Sequence, residues 1–540
     1  MAYVADYHTL RLAQKTFVKL IRAVMQQVDN LCLAVEFVHE RHQRELDRYL
    51  DSLQRGCREF GVEERDLGAV HRIGRRCFLV KEEQESAIRS LKRELFGAGL
   101  LCTGIFWIEN SMSVYAGMPR ALAITLAMLL AAGLALYYGL AAWLAVRLTS
   151  EKRKGTRLIA LAVLLVVMEW IRGWFLTGFP WLTIGYTQID SWLAGYAPIG
   201  GVLLLSLLVT LTASALAALV KARSLPAMIL ALAVIPVWGA GYLLQGRAWT
   251  SPDGPARTVS LLQGNIPQDQ KWLPEMLLPT LDFYIGESME DLDSDLILWP
   301  ESAIPSLARN VREDVIEPLR RTLGEQQKAL VTGVLTNPEP GVYFNTLMSL
   351  DGGEHLYHKR HLVPFGEYFP LAWLWKESLS GLATMGDDFT ASRAPKPLLK
   401  IGDLTAGASI CYEIIFGEEI RDALPEAQVL INMSNDGWFG TTWGPLQHFQ
   451  MARMRALESG RYLLRSTNTG ITAVIDTHGR VTARLPQFER DVLTASFTPY
   501  QGLTPYARVG LLPWAGLSAL LLLIVFLQTR NRRVSLPASH

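Results

Sequence analysis

Long apolar runs mark the parts of the chain that could cross a membrane, and the rest of the chain contains a domain without such runs. A helix needs about 20 apolar residues to span a bilayer. Six runs approach or reach this length, at residues 97–117, 120–148, 157–178, 192–220, 225–245 and 508–527. Glu109 and Asn110 interrupt the first run, and a buried soluble helix is the alternative there. The pattern predicts a multi-pass α-helical membrane domain at 96–246 with about five helices, and a sixth helix at 508–527.

Residues 1–95 have a different pattern, charged throughout and without a run long enough to span a bilayer. Leu20, Val24, Val28 and Leu31 recur at helical spacing, which predicts a solvated helical hairpin or coiled-coil-like segment. No basic start precedes an apolar run and cleavage site, so no signal peptide is predicted. A fused domain, a divergent extension and a misread gene start remain open as explanations of this segment.

Residues 247–507 contain short apolar strands with helical patterns between several of them. The predicted strands lie at 258–262, 296–299, 329–334, 346–350, 404–410, 429–433 and 472–475. Helical spacing occupies 317–327 and 448–458. Alternating strands and helices predict an α/β layered domain.

Basic residues orient the predicted helices. They cluster at 151–157, at Lys221 and Arg223, and in the tail 528–540. Basic loops remain on the cytoplasmic side of a membrane. If six helices cross the membrane and these three basic regions are cytoplasmic, the α/β domain lies on the opposite side of the membrane.

Composition narrows the possible functions. The chain has 540 residues, 50% of them hydrophobic, and a net charge of +1, which gives no electrostatic indication of a nucleic-acid partner. Of its five cysteines, Cys32, Cys57, Cys77, Cys102 and Cys411, only the last lies beyond residue 102. The C-terminal half therefore cannot form an internal disulfide.

Three stretches of the α/β domain carry reactive side chains. Glu301 ends one predicted strand, Lys359 precedes an apolar turn, and Cys411 ends another strand. A base, a cation and a thiol can together perform acyl transfer through a thioester. The predicted helix after Cys411 would place this thiol in a field that favours the thiolate. Singly, these residues could equally be a helix cap, a surface ion pair and a small buried side chain.

The surrounding motifs resemble those of a known family. WPES at 299–302, HKRHLVPFGE at 358–367 and ICYE at 410–413 are similar to the Glu-Lys-Cys motifs of the carbon–nitrogen hydrolase (nitrilase) superfamily. QGNIPQ at 263–268, NDGWFG at 435–440, QHFQMARMRA at 447–456 and LTGFPWL at 176–182 resemble its membrane branch, the apolipoprotein N-acyltransferase family. The resemblance runs from about residue 96 to the C-terminus. Residues 1–95 depart from the family, which begins with additional membrane helices.

The resemblance implies a four-layer α-β-β-α nitrilase-like sandwich with Glu301 as general base, Lys359 as oxyanion stabiliser and Cys411 as nucleophile. Six further residues match secondary motifs and are expected to bind substrate or support the triad: Trp272, Glu367, Tyr412, Glu413, Asn435 and Trp438. Glu367 would orient Lys359 or Cys411, and Trp272 would contact an acyl chain or a lipid headgroup.

The implied activity is transfer of an acyl chain from a phospholipid, through Cys411, to the lipidated N-terminal cysteine of an apolipoprotein. The implied location is the bacterial inner membrane, with the catalytic domain on the periplasmic side. A membrane-tethered nitrilase-like amidase is the alternative, and a non-catalytic membrane scaffold is a third. We expect no cofactor and no metal, because the spacing of His355, His358 and His361 is a weak metal signal.

An aromatic and aliphatic cluster follows Gly366, where a loop is predicted. Trp373 and Trp375 lie within it, and Trp favours the membrane interface. The cluster predicts a mobile lid that dips into the outer leaflet and admits phospholipid. A loop folded onto its own domain is the alternative.

The lid predicts a lipid-specific defect. Replacing Trp373 and Trp375 by Glu should slow acylation from donor lipid in vesicles, because charge opposes insertion into the interface. Acylation rates with vesicle donor and with detergent-dispersed donor would be compared. Unchanged turnover on vesicles would contradict the lid.

Overall fold

The computed structural model describes residues 97, 99–149, 154–222, 225–290, 293–368, 370 and 389–530. The predicted segment 1–95 and the predicted lid residues Trp373 and Trp375 therefore lie outside the described residues. The α-helices are α1 (Trp107–Asn110), α2 (Arg120–Leu148), α3 (Lys154–Arg172), α4 (Ala197–Ala222), α5 (Leu225–Leu232), α6 (Val234–Gln245), α7 (Leu277–Glu290), α8 (Glu317–Glu325), α9 (Gly417–Arg421), α10 (Gly444–Ser459), α11 (Pro505–Val509) and α12 (Leu512–Arg530).

Several of these helices follow the apolar runs of the sequence. Within the described part of the chain, two helical segments are long and apolar enough to cross a membrane, Arg120–Leu148 and Trp192–Val220. Leu512–Gln528 is apolar but shorter. The first run is irregular, because α1 continues as a π-helical turn at Ser111–Tyr115. The run at 225–245 is divided between α5 and α6.

Fifteen strands were found in the described residues: β1 (Ser251–Pro252), β2 (Arg257–Gln263), β3 (Leu296–Leu298), β4 (Ile304–Leu307), β5 (Ala329–Glu339), β6 (Val342–Leu350), β7 (Glu354–His358), β8 (Leu398–Ile401), β9 (Leu404–Ile410), β10 (Val429–Ser434), β11 (Leu463–Thr467), β12 (Ala473–Ile475), β13 (Val481–Arg484), β14 (Asp491–Phe497) and β15 (Tyr500–Gln501). One sheet has the order β14-β2-β3-β5-β6-β7, with β4 beside β5. The other has the order β13-β12-β11-β10-β9-β8. Both sheets are parallel at their centres and antiparallel at their edges.

The two sheets pack face to face. Leu261, Leu298 and Val331 from one sheet and Ala408 and Ile431 from the other belong to one buried cluster. Helices α7 and α8 cover the outer face of the first sheet, and α10 covers the second. This arrangement is the nitrilase-like α-β-β-α sandwich expected from the sequence. Small residues at 406–409 in β9 are buried on both sides, which explains the short side chains of this strand.

Helix α10 also packs against the N-terminal helical part. Gln447 on this helix accepts hydrogen bonds from the indole N–H groups of Trp107 (3.1 Å) and Trp181 (2.6 Å). Its amide donates to the carbonyl of Gly104 at 2.9 Å. One side chain therefore joins the α/β sandwich to two tryptophans of the apolar region.

Replacing Gln447 by Leu should lower thermal stability. The change leaves the two indole N–H groups and one carbonyl without their partner, at a cost of about 1–3 kcal/mol for each buried group left unpaired. Gln450→Leu is the matched control, because Gln450 lies on the same helix and its side chain has no hydrogen bond to the described residues. Melting in detergent micelles would test this, and equal melting temperatures for the two variants would contradict it.

Candidate active site

The ends of four strands carry the candidate site. Glu301 follows β3, Lys359 follows β7, Cys411 follows β9 and Asn435 follows β10. These strands are rich in buried apolar residues, so their ends hold the polar side chains in fixed positions. The three predicted triad residues therefore come from both sheets of the sandwich.

Cys411 begins a 3-10 turn, Cys411–Ile415, with a left-handed φ of 50°. Non-glycine residues rarely adopt this conformation, which is common at sites where a side chain must point in a special direction. Cys411 as a whole residue is half-buried. Burial, with a contribution from the Glu301 carboxylate, nevertheless raises the pKa of Cys411 to about 12. The expectation that the local field favours a thiolate was wrong, because desolvation outweighs it.

Glu301 is buried and its carboxylate is held at both oxygens. Oε1 accepts from Nδ2 of Asn345 at 2.8 Å, and Oε2 accepts from the backbone N–H of Asn435 at 2.8 Å. Nζ of Lys359 lies 4.0 Å from Oε1. These contacts fix the orientation of a candidate base.

Lys359 is 1% exposed and forms an ion pair with Glu367, with Nζ 2.8 Å from Oε1. Burial alone would lower the pKa of Lys359, but the carboxylates of Glu367 and Glu301 leave it above its ordinary value. The ammonium is therefore charged at neutral pH. Glu367 also accepts from the backbone N–H of Val363 at 2.8 Å, which holds it in place as the predicted orienting carboxylate.

Glu413 connects the turn of the nucleophile to the loop of the lysine. Its carboxylate accepts from the backbone N–H groups of Ile410 (2.7 Å), Arg360 (2.7 Å) and His361 (3.1 Å). The hydroxyl of Tyr357 donates to it at 2.9 Å. Burial raises the pKa of Glu413. Its contacts position the ends of β7 and β9 relative to each other.

The other predicted residues lie around this centre. The hydroxyl of Tyr412 donates to the carbonyl of Gly178 at 3.0 Å, within the LTGFPWL motif. Asn435 bonds through Nδ2 to Gln268 Oε1 at 2.5 Å. The carbonyl of Trp438 accepts from Ser111 Oγ at 2.8 Å.

Trp272 differs from these buried residues. Its indole is 47% exposed. Its contact with an acyl chain or a lipid headgroup stays a prediction.

Comparison with known proteins identifies the family of the chain. Residues 258–502 match the family described as "Carbon-nitrogen hydrolase", and residues 76–215 match "Apolipoprotein N-acyltransferase N-terminal domain". The chain is 39% identical to the apolipoprotein N-acyltransferase of Vibrio cholerae over 456 residues, covering 82% of this chain and 89% of the relative. The chain belongs to the apolipoprotein N-acyltransferase family.

Another relative in this family is 42% identical over 455 residues, the apolipoprotein N-acyltransferase of Azotobacter vinelandii, covering 82% of this chain and 87% of the relative. Among solved structures, an amidase from Nesterenkonia sp. is similar with a TM-score of 0.35 and 20% identity, over 48% of this chain and 95% of that one.

Sequence reasoning missed a second lysine at the centre of this acyltransferase. Lys271 is 2% exposed, and its Nζ donates to the backbone carbonyl of Glu301 at 2.9 Å. Burial lowers the pKa of Lys271 to about 8, although Glu301 and Cys411 act in the opposite direction. An ammonium buried without a carboxylate in contact is costly, which suggests a role in the site. The sequence feature that could have identified Lys271 is its position just after the QGNIPQ motif.

A buried polar network behind the nucleophile was also missed. His448 Nε2 lies 3.1 Å from the carbonyl oxygen of Cys411, and Nδ1 lies 2.9 Å from Asp436 Oδ1. Asp436 accepts from Arg465 Nη2 and from Ser434 Oγ, each at 2.8 Å. Arg465 and His448 hold the pKa of Asp436 below its usual value, against the effect of burial. The network anchors the left-handed turn, and the NDGWFG and QHFQMARMRA motifs marked only two of its members, Asp436 and His448.

Lys271→Met should slow alkylation of Cys411. Removing a nearby positive charge disfavours the thiolate, and each unit of increase in thiol pKa reduces the thiolate fraction about tenfold. The rate of iodoacetamide labelling would be measured at pH 7, below the Lys271 pKa of about 8, by mass spectrometry of the peptide that contains Cys411.

Lys328→Met is the matched control, because Lys328 also donates to a backbone carbonyl, that of Asp293, outside the site. Lys359→Met should slow labelling as well, since Lys359 lowers the thiol pKa. A rate unchanged by Lys271→Met but reduced by Lys359→Met would remove Lys271 from the electrostatics of the site.

Proposed function

We propose that this acyltransferase moves an acyl chain from a phospholipid to the α-amino group of the lipidated N-terminal cysteine of an apolipoprotein, through a thioester on Cys411. The observation that carries the proposal is the convergence of Glu301, Lys359 and Cys411 at strand ends of the sandwich, in a chain of this family. A base held at both oxygens, a buried ammonium and a thiol are the groups that the reaction needs.

In the first half-reaction, Glu301 accepts the thiol proton as sulfur attacks the ester carbonyl of the phospholipid. The thiol pKa of about 12 means that the resting residue is protonated, so this base is required. The ammonium of Lys359 stabilises the negative charge that develops on the carbonyl oxygen. The C–O bond then breaks, Glu301 returns the proton to the leaving alcohol, and lysophospholipid departs.

In the second half-reaction, the α-amino group of the acceptor attacks the thioester. Glu301 accepts a proton from the attacking amine, a C–N bond forms, and the C–S bond breaks. The thiol of Cys411 is regenerated when the proton returns to sulfur. Lys359 again stabilises the oxyanion, since the same carbonyl oxygen becomes charged.

A membrane placement supports the choice of substrates. We propose helices at 97–246 and 508–527 that cross the bacterial inner membrane, with the catalytic domain 247–507 on the periplasmic side. Trp174, Phe175 and Leu176 are 54%, 49% and 80% exposed. They lie directly before Gly178, whose carbonyl accepts the Tyr412 hydroxyl beside the nucleophile. An exposed apolar segment next to a residue that contacts Tyr412 fits delivery of a lipid substrate.

Intact-mass analysis would test the proposal directly. Purified enzyme given phospholipid should gain one acyl mass, and a diacylated lipopeptide with a free α-amino group should then remove it and become triacylated. Cys411→Ala should abolish the adduct, whereas Cys102→Ala, at the other free cysteine of the described residues, should retain it. Loss of the adduct to water without peptide would identify a hydrolase instead. An adduct that survives Cys411→Ala would contradict the assigned nucleophile.

A further inference from the structure

A cavity of about 300 Å³ lies beside α10, apart from the catalytic residues. Its walls come from the loop at 189–198, the end of α6 with residues 247–252, α10 itself, and the turn at 477–480. Gln245 Nε2 donates to the carbonyl of Ser191 at 2.7 Å and so ties two of these walls together. This volume is at the lower end of the range for small-molecule sites, about 300–1,000 Å³.

The cavity has an excess of positive charge. Arg247, Arg453 and Arg480 line it, with Asp190 as the opposing carboxylate. Asp190 is occupied by Arg453, which contacts both its oxygens at 3.1 and 2.5 Å. Arg247 and Arg480 have no carboxylate partner among the described residues.

A buried donor accompanies these guanidinium groups. The indole N–H of Trp249, which also lines the cavity, has no acceptor in the described part of the chain. The guanidinium of Arg247 lies over the same indole, 4.4 Å from its centre. This stacking leaves the N–H groups of Arg247 free to point at a ligand. Two guanidinium groups that line one cavity without a carboxylate partner in the described residues make a site for an anion.

The position of the cavity indicates which anion. Helix α6 ends at Gln245, directly before the cavity. Trp192 and Tyr242 are exposed and pack together with ring centres 5.4 Å apart, and Leu243 is 76% exposed. Exposed Trp and Tyr at the end of an apolar helix mark the depth of the lipid headgroups.

We propose that this cavity binds the phosphodiester of an anionic phospholipid, with Arg247 and Arg480 on the phosphate and the acyl chains along Leu243 and Tyr242. The inference depends on the membrane placement proposed above. The site is separate from the acyl-donor site, because none of the assigned catalytic residues lines it. Helix α10 borders both, so an occupant of the cavity contacts the helix that carries His448.

Native mass spectrometry of the delipidated full-length enzyme would test this. Phosphatidylglycerol should bind in at least one retained copy, and phosphatidylcholine should bind more weakly because its headgroup has no net charge. The double variant Arg247→Gln/Arg480→Gln should weaken phosphatidylglycerol binding about tenfold or more. Arg247→Lys/Arg480→Lys should retain part of it, since the charge remains.

Arg309→Gln/Arg484→Gln is the control for lost charge, because neither residue lines the cavity. Equal losses in both double variants, or equal binding of phosphatidylcholine, would overturn the proposal. Displacement of the lipid by excess inorganic phosphate would identify a small-anion site and would also overturn it. Thioester formation on Cys411 from detergent-dispersed donor, measured in the same samples, reports on the proposed function separately.

Discussion

The structure depends on burying opposite charges side by side without leaving either unpaired. Lys359 lies between Glu301 and Glu367, and all three are largely withdrawn from solvent. Removing ions from water costs several kcal/mol each, and their attraction repays this only when other hydrogen bonds satisfy them. Asn345 donates to Glu301, and a backbone N–H donates to Glu367. The free-energy cost of burying these charges therefore explains why hydrogen bonds hold the surrounding loops in place.

The same burial affects the proposed nucleophile. It raises the pKa of the Cys411 thiol, so forming the thiolate requires a base that accepts its proton. Such a thiol is protected from random alkylation and oxidation, because the thiolate is the reactive form. Reactivity is then coupled to the presence of a substrate that excludes water and supplies the carbonyl. This arrangement requires that Glu301 and the left-handed turn at Cys411 be held in fixed positions.

Part of this site could be predicted from sequence and part could not. Glu301, Lys359 and Cys411 could be selected from the sequence because buried strands end just before them. The structure places all three at strand ends, and their catalytic roles stay a prediction. The partners of Glu413 were not, because Arg360 and Tyr357 lie more than fifty residues earlier and meet it only when two sheets pack. Lys271 was not selected from the sequence, because only the fold withdraws it from water.

The sandwich and most of its strands were also predictable, since their apolar runs are short and bounded by turns. The sequence predicted a helix directly after Cys411 because residues 414–424 show helical spacing. The backbone instead forms a 3-10 turn first, and α9 begins at Gly417. The effect of a helix N-terminus on Cys411 was therefore misjudged. A periodic pattern does not reveal where a helix begins. The direction of a pKa shift depends on where the helix begins and on how far the group is withdrawn from water. Both are properties of the folded chain.

Helix α10 explains why the sandwich and the apolar helices form one unit. On one side of this helix, His448 contacts the carbonyl of the nucleophile. Gln447, the adjacent residue, holds two tryptophans of the apolar region. Since successive residues on a helix point about a quarter turn apart, a rigid α10 cannot shift against the membrane side without moving the support of Cys411. The apolar region is therefore part of the structure that positions Cys411, the proposed nucleophile.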